Sequence, residues 1–189
     1  MSGQWKPNVT VAAVVERAGR FLLVEEETDE GLRLNQPAGH LERGESLVAA
    51  CAREALEETA WHFVPTALVG IYLWPRPQGD ILAAGPPQGE AATECDPEDS
   101  EGEPSSPPSA GRGSGGRSSI TYLRFAFCGE LGAHEDSRVL DAGILRALWL
   151  TPAEIAAARE RHRSPLIMQC LADYHAGRRF PLELIRHYP

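Results

Sequence analysis

The chain predicts an α/β fold of the α+β kind, a mixed sheet covered by helices, and three features carry that expectation. The first two apolar runs are separated by turn residues and read as an antiparallel hairpin. Later strand-like runs alternate with helical stretches at irregular intervals, and no internal repeat is visible. A chain of 189 residues, 42% of them hydrophobic, can bury a core, and its length favours one domain over 1–189.

Residues 9–15 (VTVAAVV) and 21–26 (FLLVEE) are the predicted hairpin strands, joined by Glu16-Arg17-Ala18-Gly19-Arg20. A second turn at 28–31 leads through Leu32-Arg33-Leu34 into 35–39 (NQPAG), where Pro and Gly prescribe an irregular loop. A helix over 45–59 follows. Residues 67–74 and 120–130 then read as strands, the second alternating Tyr122, Arg124 and Ala126 with Leu123, Phe125 and Phe127. Between them, 75–119 is dominated by Pro, Gly, Ser and acidic residues, which cannot bury enough apolar area to offset ordering the backbone. A mostly disordered insertion is expected there. Residues 144–150 form another strand, and Thr151-Pro152-Ala153-Glu154 is a capping box opening a helix to about Arg161. Ser164 is placed to cap a last helix, with Pro165 at its start and Gly177 ending it in a left-handed conformation.

The formal net charge of -9 excludes a protein that gains affinity by neutralising nucleic-acid phosphates. An acidic protein still binds a small phosphorylated ligand when a divalent cation lies between its carboxylates and the ligand oxygens. Cys51, Cys95, Cys128 and Cys170 show neither zinc spacing nor a disulfide framework and are expected as reduced thiols. No apolar run approaches the ~18 residues of a membrane span, and no signal-type N-terminus is present. The expectation is a cytoplasmic protein with no membrane partner, a monomer or homodimer.

On the 45–59 helix, Glu54, Glu57 and Glu58 fall at i, i+3 and i+4 and share one face. Val48, Ala52, Ala55 and Thr59 form a small-residue stripe opposite, suited to packing on a sheet while the carboxylates face outward. Such a triplet is either an ordinary solvated face or a place for a hard divalent ion, which prefers oxygen ligands. Spacing alone leaves both readings open.

Gly39, Glu45, Arg53, Glu54, Glu57 and Glu58 reproduce the pattern G-x5-E-x7-R-E-U-x-E-E-x-G-U nearly in full, and in this the chain resembles the Nudix hydrolase family. The resemblance implies an α/β/α sandwich and hydrolysis of a diphosphate linkage with magnesium, manganese being a possible substitute. It implies Glu57 and Glu58 as metal ligands, Glu54 as a third ligand or the base acting on water, and Glu45 with Arg53 as the pair tying loop to helix. The family's glycine after the helix is Ala60 here, followed by Trp61. Left-handed dihedrals at Ala60 would cost about 1 kcal/mol relative to glycine without removing a ligand.

Lys6-Pro7 with 9–12 (VTVA), 35–42 (NQPAGHLE), 163–166 (RSPL) and 180–183 (FPLE) resemble the NudJ-type phosphatase branch of that family. That resemblance implies release of phosphate from nucleoside di- and triphosphates or from hydroxymethylpyrimidine diphosphate. A pyrophosphohydrolase of other specificity, for ADP-ribose or an oxidised nucleotide, and a non-catalytic nucleotide-binding module stay open beside it.

Arg124 can clamp phosphate bidentately, and Trp74 can stack on a pyrimidine or base, with Tyr122 on the same strand face as Arg124. Packing at the core or rim is the other reading of the two aromatics. Gly39 joins them as a substrate-side residue. His40 and Glu42 lie in the same loop, and Glu130, Glu135, Asp136 and Asp141 are downstream sources of a further ligand or base. Arg163 and Ser164, at a helix start, read first as capping residues.

Overall fold

The computed structural model describes residues 5–76 and 120–188, so 77–119 of the expected insertion and Cys95 lie outside the described residues, while Pro75 and Arg76, expected in the insertion, belong to a paired strand. The strands are β1 (Asn8–Val14), β2 (Glu16–Arg17), β3 (Arg20–Thr28), β4 (Gly31–Asn35), β5 (Ala38–His40), β6 (Trp61–Arg76), β7 (Ile120–His134) and β8 (Ile144–Leu150). The helices are α1 (Leu47–Thr59), α2 (Pro152–Ala157) and α3 (Leu166–His175).

The strands form two sheets. One is mixed, in the order β5-β1-β7-β6, with β1 and β7 parallel and the other pairs antiparallel. The other is antiparallel, with β3 flanked by β8 on one side and by β4 and the short β2 on the other. The predicted pairing of the first two strands is therefore corrected. Of the two strands before that turn, β2 pairs with β3, around Ala18 and Gly19, both at positive φ, while β1 crosses into the other sheet between β5 and β7. The uninterrupted apolar run of β1 has this meaning, because a strand buried on both faces needs no polar alternation.

Successive side chains of β1 serve two cores. Ala12 and Val14 join Phe21, Leu23, Ala126, Ile155, Ile167 and Cys170 on the α2/α3 side. Val11, Ala13 and Val15 join Leu22, Phe63, Phe127 and the α1 residues Ala50, Cys51 and Ala55 on the other. Helices thus cover both sides of the sheet layer, the α/β/α sandwich expected. Cys51, Cys128 and Cys170 are buried free thiols.

Several boundaries differ from the sequence expectation. Strand β6 begins at Trp61 instead of residue 67, because an edge strand tolerates Pro65 where the register shifts between Pro65 and Ala67. Its partner β7 continues to His134. Arg76 pairs with Ile120, so the 77–119 segment emerges from the end of a paired ladder. The helix opened by the Thr151 capping box ends at Ala157 and continues as a 3-10 turn over Arg159–Arg161. Ser164 does not cap α3: Pro165 occupies the cap position, and the Ser164 Oγ is buried without a hydrogen-bond partner among the described residues.

Candidate functional site

Helix α1 starts two residues later than 45, at Leu47, because the Ser46 Oγ accepts from the Ala49 N–H at 3.1 Å. It ends at Ala60, which is left-handed at φ 59° and closes the helix by donating its N–H to Leu56 O. Its buried residues are Ala50, Cys51, Glu54, Ala55, Glu58 and Thr59, so the predicted stripe holds at Ala55 and Thr59, while Val48 and Ala52 are only half-buried. The helix is turned so that Glu54 and Glu58, each 8% exposed, lie under the β5 loop instead of facing outward, and only Glu57 remains half-buried.

Arg53 organises this face. Its Nε and Nη2 donate to the two Glu45 oxygens at 2.9 and 3.0 Å, and its Nη1 donates to Glu54 at 2.8 Å and Glu57 at 2.9 Å. Its Nη2 also reaches the His40 carbonyl at 3.1 Å, which ties β5 to the helix. The Arg53 hydrogen bond lowers the Glu45 carboxyl below its ordinary range. Burial raises Glu54, against the pull of Arg53. Burial also pushes Glu58 up to about 9, opposed by the Ala38 N–H donated to it at 2.8 Å and reinforced by Glu54, Glu26 and Asp141. Gly39 sits where a Cβ would lie 2.1 Å from the Glu54 carboxylate, so any larger residue there displaces that carboxylate.

These carboxylates form one end of a cavity of about 540 Å³. Pairing across the mixed sheet aligns His40, Thr10, Arg124 and Tyr72 in one row and Asn8, Tyr122 and Trp74 in the next. His40, Thr10, Arg124, Tyr122 and Trp74 line the cavity, and the Trp74 and Tyr122 rings stack with centroids 5.7 Å apart. Arg124 is 8% exposed, yet its Nε and Nη1 have no hydrogen-bond partner among the described residues. Burial lowers its guanidinium from its ordinary range, while Glu26 and Glu58 pull it back up. A buried guanidinium with unused donors is costly unless an anion meets it.

The family model for the NUDIX domain matches residues 5–169. This chain belongs to the Nudix hydrolase family. The Nudix chain is 32% identical to phosphatase NudJ of Escherichia coli K12 over 181 residues, covering 96% of itself and 92% of that relative. A NUDIX hydrolase from Nitrosomonas europaea has the same fold at a TM-score of 0.74 and 41% identity, with 97% of this chain and 98% of that one covered. A MutT protein from Methanosarcina mazei Go1, at TM-score 0.58 and 15% identity over 94% and 100% of the two chains, shares the fold. The protein is therefore a hydrolase acting on small-molecule phosphorus-containing anhydrides, in a family that uses divalent metals. Among the described residues no helix is long and apolar enough to cross a membrane.

The structure brings Gly39, Arg53, Glu54, Glu57, Glu58, Trp74, Tyr122 and Arg124 to one cavity, together with His40 and Glu42. Of the downstream acids only Asp141 reaches it. Glu130 is exposed on β7, Glu135 pairs with His62 and Arg138, and Asp136 pairs with His134. Thr10, Glu26, Asn35 and Arg76 also line the cavity and escaped the sequence reading, because they come from separate strands with no shared spacing. Arg163 and Ser164 line it too.

Proposed function

We propose that the protein is a magnesium-dependent phosphohydrolase, with manganese as a substitute, that cleaves the diphosphate linkage of nucleoside di- or triphosphates or of hydroxymethylpyrimidine diphosphate and releases phosphate. The observation that carries this reading is the unused pair of Arg124 donors in the same cavity as the α1 carboxylates. Kinship to a protein described as a phosphatase supports the choice of leaving fragment.

The donor set fits a hard divalent cation. Glu54, Glu57 and Glu58 offer only oxygen, burial and like charge make an added positive charge favourable, and Arg53 bonds to Glu54 and Glu57 but not Glu58. Among the described residues no ready-made cage of three such side chains is present. Magnesium does not need one, since it retains waters and shares phosphate oxygens. When bound, the cation supplies charge neutralisation on the phosphate oxygens. Arg124 donates N–H groups to the phosphate, and Glu54 orients water for in-line attack and takes its proton. Arg53 keeps Glu54 and Glu57 in place, and the Trp74–Tyr122 pair flanks the organic group.

Phosphate release from nucleoside di- and triphosphates and from hydroxymethylpyrimidine diphosphate, with and without magnesium, tests the proposal. Glu57→Gln should lower magnesium-dependent turnover by about a hundredfold or more and leave the fold intact, as a half-exposed carboxylate contributes little to stability. Nucleoside monophosphate plus pyrophosphate as the products of a triphosphate, or near-native turnover by the variant, would refute it.

A further inference from the structure

The β3 and β4 side of the cavity carries polar atoms without hydrogen-bond partners among the described residues. Glu26 Oε1 and Asn35 Oδ1 are buried and have no hydrogen-bond partner among the described residues. The neighbouring Glu25 shows what a structural glutamate looks like in this strand: its two oxygens bond to Arg146 and Arg161. Glu26 points to the other face, and its nearest cation, Arg163 Nε, stays at 3.8 Å, beyond hydrogen-bond reach. Asn35 faces it from the adjacent strand, since Val24 pairs with Asn35 and Glu26 lies two residues on. Asn35 favours the charged Glu26 carboxylate, and its own carbonyl oxygen has no hydrogen-bond partner among the described residues.

We infer that Glu26 and Asn35 are specificity-determining residues that recognise a planar heterocycle through an exocyclic amino group. The inference rests on the proposed phosphohydrolase reading and deepens it. Two buried oxygens without partners in residues that line the cavity call for a ligand that brings N–H or O–H donors. The parallel aromatic wall of Trp74 and Tyr122, interplanar angle 23°, favours a flat ring over a sugar as their bearer. A site built around acceptors rejects an analogue that presents an acceptor at the same position, because both groups are then left unpaired.

Cytidine and uridine diphosphates are the probe: the first presents an amino donor at C4 beside an acceptor at N3, the second a carbonyl acceptor at C4 beside an N–H donor at N3. The wild-type protein should favour the cytidine compound by about tenfold in kcat/KM. Glu26→Gln, whose amide can donate to the uracil carbonyl, should bring the ratio close to one, and Asn35→Ala should reduce it. Because a ratio is read, a uniform loss of activity does not imitate this result. A wild-type ratio near one, or a ratio untouched by Glu26→Gln, overturns the inference; the second outcome assigns the two residues to ribose hydroxyls or to structure. If no substrate is turned over, the phosphohydrolase reading fails by itself. Calorimetric binding of the same two nucleotides to wild type and Glu26→Gln then decides the specificity.

Discussion

Gly39 and Glu54 occupy the same few ångströms, and the consequences of that contact are local. A Cβ at Gly39 would fall 2.1 Å from the Glu54 Cδ and both its oxygens, so the carboxylate must move although its backbone can stay. Gly39→Ala should therefore drop kcat by tenfold to a hundredfold while the thermal midpoint shifts by only a few degrees, about 1 kcal/mol for a domain of this size. Parallel thermal melts and steady-state assays check this; a collapse of stability with intact specific activity would show that the glycine serves folding. The spacing of the 39–58 pattern made Gly39, Glu45, Arg53, Glu54, Glu57 and Glu58 legible in the sequence. Burial was not legible, because the helix face that packs is decided by what covers it. The Ala38 N–H and the Gly39 loop draw Glu58 and Glu54 inward, which no periodicity along α1 alone reveals. Glu26 and Asn35 were invisible for a related reason: each is an ordinary polar residue at a strand end until β3 and β4 pair.

Element by element, the sequence located cores better than partners. Runs at 9–15, 21–26 and 144–150 are strands, but pairing depends on long-range competition, and β1 leaves β3 for β5 and β7. Ala60 stands where the family pattern has glycine, and the left-handed turn survives because its methyl group is small and 3% exposed, recovering by burial part of the strain. What fastens β3 to β8 and to the 3-10 turn at Arg159–Arg161 is Glu25, 5% exposed and bonded to Arg146 at 2.8 Å and to Arg161. The Arg146 hydrogen bond, aided by Arg161, holds the Glu25 carboxyl below its ordinary value despite desolvation. The folded state thus binds its proton less readily than the unfolded chain, so the contribution is complete above about pH 4.5 and is lost as pH falls through the depressed folded value. Glu25→Gln should cost about 1–3 kcal/mol at pH 7, and urea midpoints of the two proteins should converge as pH drops below 4. A constant gap across that range would mean that the charge is irrelevant and only shape matters.

At the scale of the whole molecule, residues 5–76 and 120–188 build the two sheets, both helical layers and the cavity described above. Composition separates 75–119 from the rest, and we propose that the catalytic unit is the single Nudix domain without residues 77–119. The pairing of Arg76 with Ile120 brings the two ends of that stretch to adjacent positions on neighbouring strands, the distance a two-residue hairpin turn spans. Replacing 77–119 by Asn-Gly should therefore preserve the ladder. The shorter closure also removes loop entropy, roughly 0.6 kcal/mol for each halving of length, or about 2.7 kcal/mol in all. Trp74 and Arg76 lie at the junction and line the cavity, so the assay is demanding: a turn that twisted the strand ends would disturb the aromatic wall before it disturbed the core. The excised protein should melt at the same temperature or higher and keep kcat/KM within about threefold of the parent. A loss beyond tenfold with an unchanged melting temperature would assign the excised residues a direct part in substrate binding, and a lower melting temperature would make them part of the domain.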